Sequence, residues 1–146
     1  MNLFDIVGPV MVGPSSSHTA GAVRIGQVSR HLLGESVKEA KILLHGSFLA
    51  TGKGHGTDKA LVAGLLGMAA DDIRIPDSFD IAKESGVKFE IGKIQLKNAH
   101  PNSVKLLLVG ESGRNLEIVA CSLGGGRIKI CTIDGLEANL AGSIQH

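Results

Sequence analysis

Three short stretches concentrate the side chains of this chain that could bind an anion or move a proton. The first, Gly13-Pro14-Ser15-Ser16-Ser17-His18-Thr19, sets three hydroxyl donors and an imidazole just before an expected helix. Backbone N–H groups are unpaired at a helix start, and the helix dipole favours negative charge there. Capping needs one Ser, so three of them with a histidine that titrates near neutral pH point to binding or proton transfer. The second, Gly52-Lys53-Gly54-His55-Gly56-Thr57-Asp58, flanks His55 with glycines, which lets a ligand approach the backbone and leaves the imidazole clear of bulky neighbours. A general base is the chemistry this suits, although a solvated loop histidine has the same surroundings. The third, Ser122-Leu123-Gly124-Gly125-Gly126, breaks a strand pattern with three glycines, which calls for a bulge or for the close approach of a ligand or partner.

The remaining candidates have plainer readings. His100-Pro101-Asn102 offers an imidazole and an amide at a strand entrance, where an ordinary Pro-Asn turn accounts for them equally well. His31 is expected at the surface near a helix C-terminus, His45 as a satisfied core histidine, and His146 as a chain end. A phosphate-binding loop fails on spacing. Five residues, not four, separate Gly46 from Gly52, and Lys53 is followed by Gly54 where Ser or Thr would hold magnesium. Cys121 and Cys131 lie ten apart with no CxxC or CxxH spacing. Two thiols cannot supply the four thiolates of a cluster or a structural zinc within one copy, so both are read as buried and reduced.

The elements that must position these residues follow from the apolar pattern. Ala22, Ile25, Val28 and Leu32 recur at helical steps up to Leu33-Gly34. Val37 to Leu49 reads as a strand. Thr57 is placed as the cap of a second helix, with Leu61, Leu65 and Met68 on one face and apolar residues nearly all round. Residues 71–86 read as an irregular connection holding a short helix near Asp80 to Glu84. Four strands follow: Val87–Ile91, Val104–Val109, Asn115–Leu123 and Arg127–Ile133. Early helices and late strands indicate an α+β domain whose helices cover one face of a sheet.

Size and composition set the outer limits. A chain of 146 residues is one domain by length. A net charge of +1 gives no electrostatic grip on nucleic acid, and four Phe with no Trp or Tyr cannot build base-stacking platforms. Neither a basic leader nor an apolar stretch of membrane-spanning length occurs, so no membrane partner and a cytoplasmic location are expected. Gly makes up 20 of the 146 residues, against an average share of roughly 7%, so close backbone approach matters more here than aromatic contact.

Taken together, GPSSSHT at 13–19, LHGSFLATGKGHGTDKA at 44–60, HPN at 100–102 and SLGGG at 122–126 resemble the beta chain, or N-terminal beta domain, of iron–sulfur-dependent L-serine dehydratases. The resemblance runs from Met1 to His146 and implies β-elimination of water from L-serine, giving pyruvate and ammonia. It further implies a [4Fe-4S] cluster held by cysteines of an alpha subunit, whose open iron acts as Lewis acid toward the serine. By motif match, His55 is the base for the α-proton and His18 assists it. Ser15, Ser16, Ser17 and Thr19 orient the substrate carboxylate, and Gly54, Thr57 and Asn102 join them as substrate-side positions. The implied fold has a mixed sheet with helices on one side, like the allosteric substrate-binding domain of some D-3-phosphoglycerate dehydrogenases.

Such a chain is expected to be inert without the alpha subunit and to form a homodimer when isolated. The regulatory ACT domain that beta chains usually carry is expected to be absent after His146. Two readings from other classes compete: an anion- or amino-acid-binding regulatory module, and a docking domain whose glycine turns serve only contact. Neither requires the paired loop histidines His18 and His55.

Overall fold

The computed structural model describes the backbone of residues 16–52 and 56–141 and the side chains of residues 19–50 and 56–136. Helix α1 (Ser16–Leu33) turns Ala22, Ile25, Val28 and Leu33 inward and ends where Gly34, at φ 80°, donates its N–H to Arg30 O at 3.1 Å. Strand β1 (Val37–Leu44) buries Ala40, Ile42 and Leu44 on one face and presents Lys41 and Leu43 on the other. Helices α2 (Ser47–Gly52) and α3 (Thr57–Leu65), a 3₁₀ turn (Ile75–Asp77) and α4 (Ser78–Glu84) come next. Strands β2 (Lys88–Lys93), β3 (Ser103–Gly110), β4 (Asn115–Gly124), β5 (Arg127–Ile133) and β6 (Leu136–Ala141) complete the described chain.

The sheet order is β2-β1-β3-β4-β5-β6, with β1 and β2 parallel and every other pair antiparallel. A parallel pair needs a crossover connection, and α2 to α4 supply it between β1 and β2, which lies at the sheet edge. Ile42, Leu106, Leu108, Ile118, Ile128 and Ile130 form the buried face, on which α1 lies across β4 and β5 while α2 meets β1 and β3. The opposite face carries Lys41, Lys105, Leu107, Val109, Glu117 and Val119, partly or fully open to solvent. The expected α+β architecture, a mixed sheet with helices on one face, is the one observed.

Helices α1 and α3 meet backbone to backbone. A Cβ at Gly26 would lie 2.6 Å from Leu61 O and 2.8 Å from Gly64 Cα, so this crossing admits no side chain on either glycine. Helix α3 is buried on all sides, as its all-round apolar sequence indicates. It closes with Gly67 at φ 91°, where Met68 N–H donates to Ala63 O and Gly67 N–H to Gly64 O, both at 3.0 Å.

Several expected boundaries move. The strand read as Val37 to Leu49 stops at Leu44, because Gly46 adopts φ 60° and the chain turns into α2. Alternation alone could not show this, since Phe48 is buried in a helix as readily as in a strand. Thr57 is not a cap. Gly56, at φ 105°, takes the N-cap position without a side-chain bond, so Thr57 becomes the first helical residue. Ser16, Ser17, His18 and Thr19 belong to the first turn of α1, not to the loop before it. Helix α4 begins two residues earlier than expected, and a sixth strand, β6, follows β5 where the sequence reading ends its strands at Ile133, although Leu136 to Leu140 alternates apolar and polar.

Candidate active site

Three of the four sequence motifs come together through main-chain bonds. Ser47 N–H donates to Pro101 O at 2.7 Å and His45 N–H to Ser103 O at 3.1 Å, which ties the end of β1 to the His100-Pro101-Asn102 turn. A Cβ at Gly46 would overlap Pro101 O, so glycine permits that contact twice over, by its positive φ and by its missing side chain. Asn102 O in turn accepts from Ser122 N–H at 2.9 Å, bringing in the start of the Ser-Leu-Gly-Gly-Gly stretch. Ser122 lies against Gly21 of α1, where a Cβ would stand 3.0 Å from Ser122 Cβ. A continuous path thus runs from the β1–α2 corner through the HPN turn and β4 to the second turn of α1, next to the helix start that bears Ser16 to Thr19.

Along this path two polar atoms are buried without a hydrogen-bond partner among the described residues: Asn102 Oδ1 and Ser122 Oγ. Ser122 is 0% exposed. Buried polar atoms normally find partners, and unpaired ones concentrate where function needs them. Asn102 is among the substrate-side positions that the family resemblance implies, whereas Ser122 carries no assigned role in its motif. The missed signal is a polar residue on the inward register of β4, following Leu116, Ile118 and Ala120.

The other assigned residues are placed unevenly. His55, Gly54 and Ser15 lie outside the described residues, and for Ser16, Ser17 and His18 only the helical backbone is described. Thr19 is half-buried on the first turn of α1, and Thr57 is buried at the start of α3. Asp58 beside it accepts from Lys59 N–H at 2.8 Å.

The two plain histidine readings agree with the geometry. His45 is partly buried, and its Nδ1 accepts the Leu96 N–H at 3.0 Å. His100 is exposed, and its Nδ1 accepts the Asn102 N–H at 3.0 Å while its carbonyl accepts from Ser103 Oγ at 2.6 Å, so it closes its own turn. The triple glycine has a backbone cause as well. Gly124, Gly125 and Gly126 all have positive φ and make the tight β4–β5 hairpin, with a register shift between Ser122 and Gly124.

No group of three or more His, Cys, Asp or Glu side chains able to hold a metal occurs among the described residues. Cys121 and Cys131 are both free. Cys121 is buried as expected, but Cys131 is only partly so, because it sits on the sheet face that no helix covers. Two thiols do not fit the ligand set of an iron–sulfur cluster. No helix among the described residues is long and apolar enough to cross a membrane.

Comparison with known proteins matches residues 2–131 to the serine dehydratase beta chain family. The chain is 44% identical over 140 residues to the L-serine dehydratase beta chain of Peptoniphilus asaccharolyticus, covering 95% of this chain and 63% of that protein. It is 44% identical over 142 residues to the probable L-serine dehydratase beta chain of Bacillus subtilis, covering 97% and 64%. L-serine dehydratase 2 of Escherichia coli is 38% identical over 87 residues, 56% of this chain and 17% of that protein. The chain thus spans less than two thirds of the length of each of these relatives.

Proposed function

The chain belongs to the serine dehydratase beta chain family, and from that premise we propose that it supplies base and substrate-orienting groups for the deamination of L-serine to pyruvate and ammonia, at a site completed by an alpha subunit. The observation that carries this reading is the convergence of the HPN turn, the β1–α2 corner and Ser122 beside α1, with two buried polar atoms that have no hydrogen-bond partner among the described residues.

In this proposal His55 takes the α-proton of serine. The glycines around it leave the imidazole room to reach a substrate held by another polypeptide. The unpaired N–H groups in the first turn of α1, with the hydroxyls of Ser15, Ser16, Ser17 and Thr19, hold the carboxylate, and His18 supports both tasks. Gly54, Thr57 and Asn102 complete the substrate side. Two thiols do not fit the ligand set of a [4Fe-4S] cluster, and in keeping with the family resemblance the alpha subunit's cysteines would hold it, where it would supply a Lewis acid for departure of the serine hydroxyl. Left alone, the chain forms a homodimer.

The test is anaerobic mixing with a cognate alpha chain. Pyruvate should form from L-serine only when both chains are present, and the beta chain alone should show no cluster absorption after reconstitution with iron and sulfide. A full cluster on this chain alone, or serine turnover by the alpha chain without it, would overturn the division of labour.

A further inference from the structure

Strands β4 and β5 are joined with one irregularity in mid-strand. Ala120 faces Ile130 and Val119 faces Thr132, so Cys131 has no partner of its own on β4. It is the extra residue of a β-bulge, a feature that re-aims a side chain. Cys121, whose Cα pairs with Lys129, lies on the same open face, where Cys131 Sγ–H donates to Lys129 O at 4.0 Å. Both line a cavity of about 440 Å³ on that face, together with His100, Ser103, Leu123 and Lys129. The helices cover the other side of the sheet, so none of the polar atoms of the candidate active site is needed here.

The two thiols are unequal. Cys121 is 2% exposed, whereas Cys131 is partly open to the cavity. Interaction with the adjacent Cys121 thiol holds the Cys131 thiol down to about 7, against the opposing effect of burial and with the Lys129 charge assisting. The neighbouring Cys131, reinforced by burial, pushes the Cys121 thiol up. An accessible thiolate beside a protected second thiol is the arrangement of an attacking and a resolving cysteine.

We infer that Cys121 and Cys131 form a peroxide-reactive dithiol, oxidised at Cys131 from the cavity and closed by Cys121 into a disulfide between β4 and β5. The Cys131 thiolate attacks one oxygen of a hydroperoxide; an S–O bond forms, the O–O bond breaks, and the leaving oxygen takes a proton to become water or an alcohol. Cys121 then loses its proton and attacks the Cys131 sulfur. The S–S bond forms, the S–O bond breaks, and the hydroxide departs as water with that proton. Two thiols are oxidised and one peroxide is reduced.

The experiment treats the full reduced chain with hydrogen peroxide and reads intact mass and linked peptides. The expected product has lost two hydrogen atoms, carries a Cys121–Cys131 linkage within one chain, and returns to the starting mass with dithiothreitol. Without peroxide, iodoacetamide near neutral pH should label Cys131 on the order of ten-fold faster than Cys121. Cys121→Ala should give a sulfenic acid on Cys131 that dimedone traps, and Cys131→Ala should leave Cys121 unoxidised. Wild-type chain that keeps both thiols, that carries Cys131 to the sulfinic acid with Cys121 still free, or that links only between chains would overturn the inference, whatever the variants do.

Discussion

At the scale of single residues, the candidate site divides into side chains that hold the fold and side chains left over for a ligand. His45 and His100 belong to the first group, since each imidazole accepts a backbone N–H at 3.0 Å. Ser122 falls outside the first group, since its buried Oγ has no hydrogen-bond partner among the described residues, and that can be checked without substrate. A buried hydroxyl with no partner among the described residues has lost its water and gained nothing from them, so removing it is expected to be neutral or stabilising. Ser122→Ala should therefore leave the denaturant midpoint of the isolated chain unchanged or raise it by up to about 1 kcal/mol in stability; a clear loss would mean that Oγ serves the fold. The histidine readings were legible because the residue types on either side of each imidazole set its surroundings. Ser122 was not, because its role depends on Gly21, a hundred residues away in sequence, standing where any side chain would strike it.

At the scale of elements, two contacts fix how α1 meets the rest. Gly64 and Gly26 make the α1–α3 crossing, and a Cβ at Gly64 would lie 2.9 Å from Gly26 Cα and 3.0 Å from Gln27 N. Gly64→Ala gains helix propensity but forces two buried backbones apart. A net destabilisation of roughly 1–3 kcal/mol is expected from thermal or urea unfolding, and an unchanged midpoint would contradict the crossing. The β3–β4 turn is held to the α1–β1 connection by Glu35, whose carboxylate accepts Ser112 Oγ–H and Ser112 N–H, each at 2.6 Å. Those two bonds, the hydroxyl first, hold the Glu35 carboxyl below its ordinary value of 4.5. The stabilisation is therefore present above the unfolded-state pKa and lost as pH falls through the lower folded-state one. Glu35→Gln should reduce stability near neutral pH, and its difference from wild type should shrink as urea unfolding is repeated at lower pH. A constant difference would disconnect the carboxylate charge from the effect. Strands β2 to β5 and the two long helices were readable from apolar periodicity, each to within a few residues. Helix α2 was not, because the turn at Gly46 is set by Pro101, distant in sequence; β6 is the return strand of a tight hairpin on β5, and its local signal, the Asp134-Gly135 pair with both φ values positive, was missed.

At the scale of the whole molecule, the sheet has one covered face and one open face that carries Leu43, Leu107 and Val109 among charged residues, and none of these three lines the Cys121–Cys131 cavity. An open apolar surface seeks a partner, and a two-fold dimer is the commonest arrangement. Sedimentation of the isolated chain at tens of micromolar, a rough range for weak association, should show dimer, and monomer throughout would contradict this. The sequence made the family and the helix-covered sheet legible because its motifs and apolar pattern are local; it could not reveal that the HPN turn, Gly46 and Ser122 are joined, since those bonds cross the sheet. The central claim is that this chain contributes the base while an alpha subunit holds the cluster, and kinetics of the assembled enzyme test it most directly. With His55→Ala, turnover of L-serine should fall on the order of 10²- to 10⁴-fold while the serine-induced spectral change of the cluster keeps its midpoint, and Ser16→Ala or Ser17→Ala should weaken that midpoint instead. Near-wild-type turnover by His55→Ala, alongside loss of turnover in the serine variants, would contradict the account.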